Sequence, residues 1–89
     1  MKDITNLPEN VIDDFYINIG KQVKFFRTKQ GYTQLQLSQA VGHKSVGLVS
    51  QAEIYLNKQH FNIEHLYKIA YVLDVDISEF FKDIKTKKD

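Results

Sequence analysis

Residues 31–53 read GYTQLQLSQAVGHKSVGLVSQAE, and few folds accommodate such a stretch. Leu37, Ala40 and Val41 recur at the spacing of one helix face behind Thr33, a residue whose hydroxyl can accept from the open amides of a first turn. Gly42 closes that segment, because glycine enters the left-handed conformation that ends helices at little cost. Ser45 then caps a second segment, in which Val49, Ala52, Glu53 and Leu56 share one face and Gly47, Ser50, Gln51 and Ile54 lie opposite. Only Gly42-His43-Lys44 separates the two periods, so the chain must turn sharply and set one short helix against the other.

The flanking sequence is helical as well. Ile12, Phe15, Ile19, Val23 and Phe26 recur every three or four residues and predict a helix over 9–30, entered after Pro8 and stopped at Gly31. Gly20 costs about 1 kcal/mol inside a helix, yet the apolar period runs through it, and one helix is expected. Asn62 caps a further helix carrying Ile63, Leu66, Ile69, Ala70 and Leu73, although His65 stands where a capping box needs an acid. Asp76 followed by Glu79 gives a capping-box pattern for a last helix with Ile77, Phe80, Phe81 and Ile84. No alternating β-branched run bounded by turns supports a sheet. The expectation is an all-α bundle of five helices. Residues 1–18 form an N-terminal extension that begins the long first helix, residues 19–82 form the domain, and 83–89 form a frayed basic tail.

Charge is segregated beneath a formal net charge of +1. Residues 19–73 set Lys21, Lys24, Arg27, Lys29, Lys44, Lys58 and Lys68 against Glu53 and Glu64, whereas the first 18 residues set Lys2 against Asp3, Glu9, Asp13 and Asp14. The middle is therefore the part suited to an anionic partner. The chain has no cysteine, which excludes a disulfide framework and a thiolate metal site and fits a reducing cytoplasm. No apolar run approaches the roughly 20 residues of a membrane span, and MKDITNLPEN is not built like a signal peptide.

With these residues in view, the chain resembles the phage-repressor and Cro-like (XRE-type) helix-turn-helix family. IGKQVKFFRTKQGYTQLQLSQAVG is similar to the family's opening pattern and LYKIAYVLDVDISEFF to its closing one, and the likeness covers roughly residues 19–81. The resemblance implies a lambda-repressor-like five-helix bundle that pushes its third helix into the DNA major groove. By position, Gln34 would anchor the second helix on a phosphate or base, Ser45 to Gln51 would face bases, and Glu53 would be a structural acid bonded to an arginine or to backbone amides. The sequence departs from the pattern in three places. The turn before Val49 is one residue longer than usual, EIYLNKQHFN lengthens the following link by about two, and Val46, Gly47 and Leu48 stand where polar readers are common.

The resemblance implies double-stranded DNA as partner and a sequence-specific transcriptional regulator that acts as a homodimer on a pseudo-palindromic operator. The expected contact residues are Gln34, Lys44, Ser45, Val46, Gly47, Ser50, Gln51 and Lys58, with Lys44 and Lys58 on phosphates. Thymine methyls suit Val46, and hydrogen-bonding base edges suit Ser50 and Gln51. Ile77, Phe80, Phe81 and Ile84, together with the extension, are the expected dimer surface. Two alternatives share the fold: an antitoxin that represses its own operon and holds a toxin with one end, and a protein-interaction module that has lost DNA binding. His43, His60 and His65 lack the paired spacing of a zinc site, no nucleophile with base and orienter can be assembled, and no Gly-rich phosphate loop is present, so neither enzyme, metal nor cofactor is expected.

Overall fold

A computed structural model describes residues 1–83. Four α-helices follow in order: α1 Val11–Lys29, α2 Gln34–Ala40, α3 Gly47–Ala52 and α4 Ile63–Leu73. Short 3-10 helices stand at Ile4–Asn6, Leu56–Lys58 and Ile77–Phe81, and no strand occurs among the described residues. The core is built from one or two side chains per element: Val23, Leu37, Val49, Ile69, Leu73 and Phe80 have no exposed surface. Arranged this way, α2 packs on α3 and α4, while α1 lies against α4 and the last 3-10 turn.

Gly20 sits inside α1 without breaking it, and the reason is tertiary. A Cβ there would lie 2.5 Å from the Glu53 carbonyl oxygen and 2.7 Å from that of Ala52, so only glycine lets α1 cross the C-terminal end of α3. α2 begins with a full capping box. The Thr33 hydroxyl accepts from the Gln36 amide at 3.0 Å, and the Gln36 side chain accepts from the Thr33 amide at 2.8 Å. α4 has the same device in an unusual form, with Asn62 Oδ1 accepting from His65 N and His65 Nδ1 accepting from Asn62 N at 3.1 Å. The imidazole thus performs the acid's task, which the sequence had left open.

The C-terminal part of the domain departs from the helical pattern of its sequence. The expected last helix is the 3-10 turn Ile77–Phe81, and Asp76 accepts from Ser78 N at 2.9 Å while Glu79 pairs with Lys82, so no capping box forms. Phe80 is wholly buried against the bundle, edge-on to Phe26, and Ile77 is half-buried against the same core. Neither offers the exposed stripe expected of a dimer surface. Phe81 is exposed and stacks on Phe15, and Ile84, with the rest of the expected tail, lies outside the described residues. Ala40 faces solvent, because Leu37 and Val41, one turn apart, already fill the inner face of α2. Asn18 and Gln22 donate to the Lys82 carbonyl at 2.7 and 2.6 Å, which ties the end of the described chain to α1.

Candidate nucleic-acid interface

The sharp turn read from Gly42-His43-Lys44 joins α2 to α3. Gly42 adopts φ +96°, its amide donates to the Gln39 carbonyl, and His43 N donates to Ser38 O, which closes α2 in one step. α3 is shorter than expected. It starts at Gly47 rather than Ser45, with Val46 at the cap position and Ser45 Oγ accepting from Gly47 N at a long 3.4 Å. It ends at Ala52 rather than Leu56, since Tyr55, Asn57 and Lys58 all take left-handed backbone angles and turn the chain away. Leu56 is accordingly exposed and takes no place on the buried face.

What fixes α3 is one buried carboxylate. Glu53 is 2% exposed, and Arg27 of α1 meets it in a bidentate pair, Nε to Oε2 at 2.6 Å and Nη2 to Oε1 at 3.0 Å. Arg27 Nη1 also donates to the Tyr32 carbonyl at 2.8 Å, so the guanidinium braces the α1–α2 connection. Gln34, the first residue of α2, donates through Nε2 to the same Glu53 at 3.0 Å. One side chain therefore binds the end of α3 to both α1 and α2, and only the outward face of α3 remains for other uses. Sequence reading had Glu53 as a structural acid bonded to an arginine or to backbone amides, and Arg27 is that buried partner.

On the outward side, Lys44, Ser45, Val46 and Gln51 are exposed, and Gly47 and Ser50 are half-buried. Ser50 Oγ rests 3.4 Å from the Gly47 carbonyl, a weak tie that leaves the hydroxyl available. A Cβ on Gly47 would meet nothing closer than 3.6 Å, so the chain's own packing does not require glycine there. Lys58 closes the 3-10 turn Leu56–Lys58 that follows α3, with its side chain 76% exposed and 3.5 Å from Asp13. Gln51 supplies an amide donor and acceptor and Ser50 a hydroxyl, which are the groups that read base edges, and Lys44 and Lys58 flank them with charge.

Sequence reading missed a cluster that joins the extension to the link after α3. The Tyr55 hydroxyl donates to Asp13 Oδ1 at 2.7 Å, and Tyr16 stacks between Tyr55, at 5.7 Å, and His60, at 3.9 Å between ring centres. This hydrogen bond holds the Asp13 carboxyl below its ordinary value and pushes the Tyr55 phenol up to about 12. The only sequence signal was the helical alignment of Asp13 and Tyr16; the link's left-handed residues are not of types that advertise them. The histidines are arranged differently from their spacing. His43 and His65 come together at 5.4 Å, edge to face, and burial, with His43 second, lowers the His65 value. No group of three metal-binding side chains forms among the described residues.

Comparison with known families settles the architecture, because a helix-turn-helix family model matches residues 23–80, well over half of the chain. The chain belongs to the XRE-type helix-turn-helix family. This is a family of DNA-binding transcriptional regulators rather than enzymes. Among curated proteins no match was found. The helix-turn-helix match starts inside α1 at Val23 and ends on the buried Phe80, so it spans the Arg27–Glu53–Gln34 network and α3 and leaves the Asp13 and Tyr16 contacts outside. No helix of the described residues is long and apolar enough to cross a membrane.

Proposed function

We propose that this regulator is a sequence-specific DNA reader that acts in the cytoplasm as a homodimer on a pseudo-palindromic operator. Each α3 enters a major groove, and the two half-sites lie about one helical turn apart. The observation that carries this reading is the division of α3 into two sides. Glu53, Ala52 and Val49 hold it from within, while Gln51, Val46 and Ser45 stand in solvent beside Ser50 and Gly47. Gln51 and Ser50 hydrogen-bond base edges, Val46 meets a thymine methyl, and Lys44 and Lys58 neutralise phosphates. Gln34 holds Glu53 through one Nε2 hydrogen, and its second Nε2 hydrogen and its Oε1 are left to meet a phosphate or a base.

Residues 1–18 form an extension in this scheme that runs on into α1, with 19–82 as the DNA-binding unit. A second reading, in which the extension also holds a protein partner as an antitoxin does, is favoured by exposed Ile4, Ile12 and Phe15 beside Asp3, Glu9 and Asp14. A partner co-purifying with the full chain and lost on Phe15→Glu supports that reading. For DNA, sequencing of genomic fragments selected by the protein should yield one palindromic motif. Equal, weak retention of genomic and random duplexes overturns the proposal.

A further inference from the structure

We propose that the outer face of α4 is the seam through which a second copy of this chain packs. Ile63, Tyr67 and Tyr71 follow one another at single-turn intervals and are 69%, 70% and 83% exposed, while Leu66, Ile69, Ala70 and Leu73 of the same helix are buried. The face is apolar and electrically quiet, since the charges along it, Glu64 and Lys68, already pair with each other at 2.8 Å. Water gains nothing from two tyrosine rings and an isoleucine in line, and such a stripe on a regulator's surface marks a protein contact.

The occupant follows from charge and area. Asp74 and Asp76 follow α4, at the end where the helix dipole is itself negative. A parallel copy would set these acids against their own twins; a copy related by a two-fold axis through Tyr67 sets them against the positive N-terminal end of the facing helix and opposes the helix dipoles. In that register Ile63 meets Tyr71 of the second copy, and each Tyr67 meets its twin. The exposed apolar surface around Ile12 and Phe15 of α1 behaves oppositely, because Asp14 beside them and Glu9 just before the helix would face their own copies there. At roughly 150–250 Å² per ring side chain, the stripe supplies about 400 Å² per copy, half of the roughly 800 Å² that a stable pair buries. The free dimer is therefore weak and is completed when two half-sites on one duplex bring the copies together. This seam rests on the homodimer reading above and names its surface.

Because the chain has no cysteine, one can be placed on the axis. At a helix crossing the Cα atoms of twin residues come within disulfide reach, so under mild oxidation the Tyr67→Cys variant should cross-link into a dimer several-fold more than Ile12→Cys on α1. Sedimentation of the full chain should show reversible self-association that Tyr67→Glu weakens at least tenfold, with an unchanged melting temperature because the side chain is exposed. On a selected palindrome the same variant should lose cooperativity and keep half-site affinity. If the chain dimerises while Ile12→Cys or Phe81→Cys cross-links in place of Tyr67→Cys, the seam is wrong and the homodimer stands. If it remains monomeric both free and on palindromic DNA, the seam and the homodimer fall together.

Discussion

Glu53 shows how much of this fold depends on one side chain. Its carboxylate, buried beside Arg27 and Gln34, is stable only while both donors remain, because a buried charge without a partner is far costlier than one with it. Arg27→Met should therefore lower unfolding free energy by about 3–5 kcal/mol in denaturant titrations, whereas Gln34→Ala removes a single bond to a charged group, about 1.5–3 kcal/mol. The glycines make a sharper pair. Gly20→Ala should destabilise by about 1–3 kcal/mol despite alanine's better helix propensity, since the new methyl meets backbone oxygens. Gly47→Ala has open space and should stabilise by about 0.4–1 kcal/mol. The same variant should bind operator more weakly, since the methyl stands on the face offered to DNA; thermal melts and binding isotherms on one preparation check both signs.

At the level of elements, the two capping boxes and the link after α3 carry the consequences. His65 serves its cap as a neutral acceptor and lies against His43, and both burial and that neighbour keep its proton affinity below the ordinary value of 6.5. The unfolded chain then binds more protons than the folded one just below that value, so stability is complete above it and declines as pH falls through it. Melting temperature should drop between about pH 7.5 and pH 5.5, and the decline should flatten in His65→Gln, which keeps a cap acceptor without the charge. In the link, Asp13→Asn should return the Tyr55 phenol from about 12 toward 10.0 in a spectrophotometric titration, and should raise affinity for all duplexes by releasing Lys58. The sequence made α2, the turn and α4 legible, because cap residues, glycine and apolar spacing are local and agree. It did not disclose where α3 stops. The apolar period continues to Leu56, but the tie of Glu53 to Arg27 and the left-handed turn at Tyr55 override it. Phe80 misled for a related reason, since spacing shows which residues share a face and not which element covers that face.

Across the whole molecule, a weakly charged chain meets a polyanion. A net charge of +1 is no obstacle when Lys44 and Lys58 stand on either side of α3 in the chain, although Asp13 of the extension offsets part of the charge of Lys58. Few phosphates are neutralised, so the salt dependence of binding should be shallow, and Lys44→Ala should reduce its slope by about one while lowering affinity for every sequence alike. Specificity must then come from α3. The most direct test is the affinity of wild type and Gln51→Ala for the selected operator and for a scrambled duplex at one salt concentration. The substitution should weaken operator binding by about 1–3 kcal/mol, leave affinity for the scrambled duplex unchanged and leave the fold intact. Equal affinities of the two proteins for the operator would contradict this.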